Sequence, residues 1–124
     1  YPSASASFCR AHATATKLYL EQVVGLDSAA ANDLSFWVPG LLPPEFAVLD
    51  KQQGSSIIEP GVTPAAPLVL GWATWDDFSY DCGMSRLWAG VHFFDSIPAG
   101  QGIGDPIGAE AYDWLMSRID GTAE

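Results

Sequence analysis

The chain has 124 residues, of which 48% are hydrophobic, and its 15 acidic and 5 basic side chains give a formal net charge of −10. A chain of this length forms one small domain or a part of a larger one. The negative charge argues against nucleic acids and anionic membranes as partners, because both are bound by clustered lysine and arginine.

The numbers of cysteines and histidines argue against a zinc-binding protein, and the length of the apolar segments argues against a membrane-spanning one. Two cysteines and two histidines are too few for an ordinary zinc site, so Cys9 and Cys82 form either a disulfide or two buried thiols. The longest apolar stretch, residues 68–75, is far shorter than the ~20 residues of a membrane-spanning helix. The sequence therefore predicts no membrane insertion.

A first helix is predicted over residues 5–24, and Gly25 is a typical residue just after a helix end. Its apolar stripe follows helical spacing and consists of Phe8, His12, Ala15, Tyr19 and Val23. Residues 26–74 then hold six of the nine prolines, which indicates a long irregular excursion. Within it we expect only short elements: helices near 27–34 and 44–52, and strands at 57–58 and 68–70.

A second long helix is predicted from Thr74, which suits an N-cap with Asp77 three residues later, to about Ser96. It is apolar nearly all round, which is typical of a central buried helix. Gly83 and Gly90 in its interior would each cost ~1 kcal/mol relative to alanine. We therefore expect the first helix to lie close to them, through Ala11 and Ala15.

A last helix is predicted to begin at Asp105 and Pro106, because a cap residue followed by proline is a common helix start. Gly121 would end it. The fold class indicated by these elements is mainly α.

Four residues carry the candidate chemistry. Ser85 and His92 are seven residues apart, which places them ~20° apart around one helix, and Arg86 is their neighbour. Arginine binds tetrahedral oxyanions through two donors, and histidine can act as a nucleophile or a ligand. Asp95, three residues later, can hold the tautomer of the imidazole ring. A structural role for these side chains on a buried helix is the alternative.

The segment from Ser85 to Asp95 resembles the third motif of the vanadium haloperoxidases and type-2 phosphatidic acid phosphatases: Ser-Arg, five residues, His and a following acid. Tyr1-Pro2-Ser3 is similar to the opening of their second motif, Tyr-Pro-Ser-Gly-His. The resemblance covers most of the chain, strongly at its two ends and loosely through residues 26–70. It implies a helical bundle of the vanadium haloperoxidase type, with residues 1–124 forming the C-terminal part of one such domain.

The resemblance also implies roles for individual residues. Ser3, Ser85 and the first amides of the first helix would bind oxyanion oxygens, and Arg86 would neutralise the anion. His92 would be the ligand to vanadate in a haloperoxidase, or the nucleophile in a phosphatase, and Asp95 would orient it.

Three departures weigh against catalysis. Ala4-Ser5 stands where the family has Gly-His, so the acid/base imidazole is replaced by Ser5. His12 lies about 10 Å further along the helix and is expected to serve packing. The acid after His92 comes one residue early, and the upstream Lys and Arg-Pro motif of the family does not occur in these 124 residues.

We therefore expect a non-catalytic haloperoxidase-like module with a structural or interaction role in a larger assembly, secreted or extracellular. The alternatives are a vanadate-dependent haloperoxidase or phosphatase-like enzyme completed by an N-terminal half on another chain or fragment, and a protein that only captures an oxyanion. No cofactor is expected unless the site is functional, when it would be vanadate. The expected partner is the N-terminal half of the same precursor or another subunit, packed on Trp88, Phe93 and Trp114.

The positions of the two motifs also predict how close the two cysteines lie to each other. Cys9 follows Ser3 by six residues and Cys82 precedes Arg86 by four. If both motifs meet at one anion and the two helices are antiparallel, the cysteines lie near each other. A disulfide then requires Cα atoms within about 7 Å.

Overall fold

The computed structural model describes residues 1–34 and 48–122, which fall into two compact units. One unit contains Tyr1–Asp33 and Thr74–Glu124, and the other contains Leu34–Ala73. The expected mainly helical class is confirmed. No helix among the described residues is long and apolar enough to cross a bilayer.

The first unit is built on helix α1 (Ala4–Tyr19), which continues through a π-helical turn, Leu20–Val24. Gly25 ends it in the left-handed conformation, as predicted. The predicted stripe is not the buried face of α1, since Phe8 is 75% exposed and the buried residues are Ala6, Ala13 and Leu20. Small side chains therefore form the inner face of α1.

Helix α3 (Trp75–Trp88) starts where it was predicted to start, because the Thr74 hydroxyl accepts the N–H of Asp77 at 3.0 Å. The short helix α2 (Ser28–Asn32), also predicted, precedes it in the same unit. α3 runs antiparallel to α1, since Asp76 near its start pairs with Lys17 and Gly83 near its end adjoins Ala6. It buries only Trp75, Ser79 and Gly83, so the described residues do not by themselves enclose this helix, and its burial by a partner stays a prediction.

The prediction that this helix reaches Ser96 is wrong, because Gly90 ends it. Gly90 has φ +71°, and its N–H donates to the carbonyl of Leu87 at 2.9 Å. The N–H of Val91 donates to the carbonyl of Arg86 at 3.0 Å. These two bonds form a Schellman cap, so Gly90 serves the helix end, and a Cβ on it would meet no atom of the described residues within 4 Å.

Helix α4 (Ser96–Ile119) begins nine residues before the predicted start, and Pro106 lies inside it. Asp105 does not cap a helix, because its carboxylate accepts bonds from Arg10 and Thr14 of α1. Pro106 is on the exposed side of α4, where the carbonyl that its missing N–H leaves free can bond to water. The predicted end at Gly121 is close to the observed one.

Three glycines spaced by four residues bring α4 directly onto α1. A Cβ on Gly100, Gly104 or Gly108 would overlap the carbonyl oxygens of Ser3, Ser7 and Ala11, respectively. The order of these pairs shows that α1 and α4 run parallel. Gly83 also permits close approach, as predicted, but its neighbours are Ala6 and Ile97 and not Ala11 or Ala15.

The second unit contains a two-stranded antiparallel sheet of β1 (Val48–Lys51) and β2 (Leu68–Gly71), in which Val48 pairs with Gly71 and Lys51 with Leu68. The predicted strand at 68–70 is confirmed. The strand predicted at 57–58 is not formed, and Ile57 and Ile58 are 95% and 92% exposed. The predicted helix at 44–52 is wrong where it is described, because residues 48–51 are a strand, and residues 44–47 lie outside the described part.

Candidate functional site

Ser3 is the N-cap residue of α1 and is fully buried. Its hydroxyl accepts the N–H of Ala6 at 3.3 Å, and its own N–H donates to the carbonyl of Ser96 at 2.9 Å. This second bond joins the start of α1 to the start of α4. The first N–H groups of a helix have no partner within it, so those of Ala4 and Ser5 are suitably placed for an anion.

Arg86 lies in the last turn of α3 and is half-buried. Its Nε is enclosed, but it bonds to none of the described residues. One turn earlier, a Cβ on Gly83 would lie 3.3 Å from the Cβ of Ala6, so the end of α3 adjoins the start of α1. An enclosed guanidinium nitrogen that bonds to no described residue can bind an oxyanion, because arginine offers a planar fork of donors.

His92 does not share a helix face with Ser85, because α3 ends at Trp88 and His92 lies in the segment between α3 and α4. The predicted geometry is wrong, yet His92 remains next to Arg86. Its N–H donates to the Arg86 carbonyl at 3.2 Å, within the cap of α3. The imidazole is half-buried.

Ser85 and Asp95 are both exposed. The Ser85 hydroxyl donates to the carbonyl of Cys82 at 2.7 Å. Asp95 occupies the N-cap position of α4 without a side-chain cap bond, and no hydrogen bond or ion pair joins it to His92 in the described residues. The structure thus gathers Ser3, Arg86 and His92 at one end of the helical unit, without the predicted bond between Asp95 and His92.

Ser5 lies in the first turn of α1. The other imidazole of the chain is two turns away, where His12 packs edge-on against Trp75 with ring centroids 5.4 Å apart. Cys9 and Cys82 are joined by a disulfide with Cα atoms 6.3 Å apart. This bond links α1 to α3.

An ion-pair cluster, which sequence reasoning missed, ties α1 to both other long helices. The Nε of Arg10 bonds to Asp105 at 2.9 Å, and Asp76 accepts from Arg10 at 2.5 Å and from Lys17 at 2.7 Å. Hydrogen bonds from Arg10 and Thr14 hold the pKa of Asp105 below its usual range. Burial raises the pKa of Asp76, but the bonds and charges of Lys17 and Arg10 outweigh it and leave that pKa lowered.

The glycine contact between α1 and α4 was also missed, although its signal was visible. Gly100, Gly104 and Gly108 recur at every fourth residue, which places them on one side of a helix. By contrast, the partners of Arg10 leave no sequence signal, since Asp76 and Asp105 are distant in the chain. No group of three or more histidine, cysteine or acidic residues that could hold a metal is found in 1–34 and 48–122.

Comparisons with known proteins identify the family to which this fold belongs. Residues 1–121 match the family described as the VCPO second helical-bundle domain. The fold is similar to the crystal structures of a holo-type and an apo-type bacterial vanadium-dependent chloroperoxidase, each with TM-score 0.73 and 29% identity over 94% of this chain. The chain spans about a fifth of those chains, 20% and 21%. No curated protein is similar enough to count as a match. The chain therefore belongs to the VCPO second helical-bundle domain family, within the vanadium haloperoxidase superfamily.

Proposed function

We propose that this haloperoxidase-type bundle is a non-catalytic module that keeps the means to hold an oxyanion and serves a structural or interaction role in a larger extracellular assembly. The observation that carries this proposal is the residue at position 5. Ser5 stands in the first turn of α1 where the family has its acid/base imidazole.

A serine hydroxyl cannot act as a general acid or base near neutral pH, because its pKa lies far above that range, and a positioned acid or base contributes ~10²–10⁴ in rate. His12 is not a substitute, because it lies about 10 Å along α1 and packs on Trp75. Proton transfer at the site is therefore lost, while the groups that bind an anion are retained.

Oxyanion binding is supported by Arg86 and the start of α1. The enclosed Nε of Arg86 has no partner among the described residues, and a bound vanadate or phosphate oxygen would accept its N–H. Ser3 would position the first amides of α1 through its cap. His92 would be the ligand to the anion, and vanadate in such a site would supply the centre that activates peroxide.

The extracellular setting is supported by the disulfide between Cys9 and Cys82, because such bonds persist in oxidising compartments. A covering partner is supported by exposed aromatic residues. Trp88, Phe93 and Trp114 are 67%, 89% and 60% exposed, and burying a large apolar side chain is worth ~1.5–3 kcal/mol. The N-terminal half of the same precursor, or another subunit, would supply that cover.

The test compares vanadate binding with bromide oxidation in the presence of peroxide. We expect the unaltered protein to bind vanadate without turnover, and Ala4→Gly with Ser5→His to gain turnover. Ala4→Gly alone is the matched control, because it changes the backbone without adding an imidazole. Full turnover in the unaltered protein would refute the non-catalytic role, and vanadate binding by none of the proteins would refute oxyanion capture.

A working enzyme completed by an N-terminal half is the second candidate. It is favoured by the aromatic residues that flank His92, because a second half that covers Phe93 would also enclose the imidazole. Such a half would need to bring the family's Lys and Arg-Pro. Bromide oxidation that appears only when that half is added to the chain would favour this candidate.

A further inference from the structure

We infer that the disulfide between Cys9 and Cys82 is a positioning element of the anion site: it holds the turn that carries Arg86 against the start of α1. The inference rests on the oxyanion binding proposed above. It assigns to the two cysteines a role in affinity, beyond their contribution to stability.

The position of the bond along both helices supports this role. Cys82 lies four residues, about one helical turn or ~6 Å, before Arg86, and Cys9 lies six residues after Ser3. Because α1 and α3 are antiparallel, the direction from the disulfide to Arg86 on α3 is also the direction to Ser3 on α1. The bond is thus the covalent link next to the site.

The contacts between α3 and α1 differ on the two sides of the disulfide. On the site side, Gly83 of α3 lies against Ala6 of α1 and Ile97 of α4, and the glycine and alanine bury little apolar area between α3 and α1. On the far side, Asp76 bonds to Arg10 and Lys17, and Trp75 packs on His12. The far end of α3 is therefore joined to α1 by charged and aromatic side chains, whereas near Arg86 the disulfide is the strongest link to α1 among the described residues.

A small displacement at that end matters because binding groups must be placed within a fraction of an ångström. Arg86 has no bond to a described residue through its Nε, so no hydrogen bond from α1 fixes the position of that nitrogen. Loss of the disulfide would let the last turn of α3 move away from α1. The amides of α1 and the guanidinium would then no longer reach one anion together.

The experiment measures orthovanadate binding by calorimetry, without reductant, in the unaltered protein and in Cys9→Ser/Cys82→Ser, with circular dichroism to establish that both are folded at the assay temperature. We expect affinity at least about tenfold weaker in the double variant, within the ~10²-fold that a misplacement of ~1 Å can cost. Asp76→Asn is the matched control: it removes the charged links at the far end of α3 and should lower the melting temperature without changing the affinity.

If Cys9→Ser/Cys82→Ser does not fold, Cys9→Ala/Cys82→Val keeps an apolar contact without the covalent bond, and the same loss is expected. Unchanged affinity in a folded variant would overturn the positioning role and leave the proposed anion site intact. An equal loss in Asp76→Asn would also overturn it, because stability alone would then explain the effect. No binding by the unaltered protein would overturn both the proposed capture and this inference.

Discussion

The packing of α4 on α1 is tested by alanine at two glycines of the same helix. A Cβ on Gly104 would overlap the carbonyl oxygen of Ser7 and lie 2.9 Å from the Cβ of Arg10. Neither neighbour moves easily, since the carbonyl belongs to α1 and Arg10 is bonded to Asp105. A Cβ on Gly102, two residues away on the exposed side, would meet nothing within 4 Å.

The expected difference in the free energy of unfolding between the two variants follows from the helix propensity that both changes share. Alanine is preferred to glycine inside a helix by ~1 kcal/mol, so Gly102→Ala should raise the free energy of unfolding by about that amount. The same gain applies to Gly104→Ala, but the overlap with Ser7 costs ~1–3 kcal/mol or more. Helix propensity cancels in the comparison, so the two variants should differ by the cost of the overlap, ~1–3 kcal/mol.

Chemical denaturation of both variants, followed by circular dichroism, measures this difference. Equal stability of Gly104→Ala and Gly102→Ala would show that α4 does not pack on α1 through its glycines. A destabilised Gly102→Ala would show that another part of the protein covers the side that the structure leaves open.

Two further predictions concern the links between the helices. Replacing Cys9 and Cys82 with serine should lower the free energy of unfolding by up to ~4 kcal/mol, because the bond closes a loop across a sequence separation of 73; an unchanged urea midpoint would contradict this. The depressed pKa values of Asp76 and Asp105 add stability that is present above the unfolded-state pKa of ~4 and lost as the pH falls through the folded-state values. Since these ion pairs are partly exposed, Asp105→Asn should lower the free energy of unfolding by about 1 kcal/mol at neutral pH. It should also make that free energy fall less steeply as the pH is lowered. If the free energy of unfolding of the variant falls in parallel with that of the unaltered protein, the prediction is wrong.

Elements with strong local signals were predictable from the sequence. The caps at Thr74 and Gly25 use only atoms of nearby residues, so the start of α3 and the end of the first helical segment follow from a few positions. The short strand at 68–70 was predicted from its apolar run, but it forms by pairing with residues 48–51, and the similar run at 57–58 forms no strand. The two caps, by contrast, do not depend on distant parts of the chain.

Elements with two local solutions were decided by tertiary contacts. Gly90 suits both a close helix contact and a Schellman cap, and only the fold shows that it forms the cap. Asp105-Pro106 is a common helix start, but the carboxylate is used by Arg10 and Thr14 of α1. Those bonds, together with the exposed side on which Pro106 lies, allow α4 to continue through the proline.

The arrangement of the candidate site was set partly by local signals and partly by tertiary contacts. The motif residues Arg86 and His92 are neighbours in the structure, but a helix cap brings them together and a shared helix face does not. The seven-residue spacing from Ser85 to His92 therefore led to the wrong geometry for a pair that does lie close. Ser3 was predicted to lie at the start of the first helix, whereas its bond to Ser96 depends on the parallel course of α1 and α4.

The distribution of side-chain size within the helical unit explains why cross-links are important to it. The contact between α1 and α4 is made by glycine, alanine and serine, which bring backbones close but bury little apolar area. Large residues such as Phe8 and Trp114 lie outside this contact. The described core can therefore contribute only part of the stability of the fold. The disulfide and the charges around Arg10 add links that glycine contacts cannot supply, and the proposed partner would cover Trp88 and Phe93 at the end of the unit that holds Arg86 and His92.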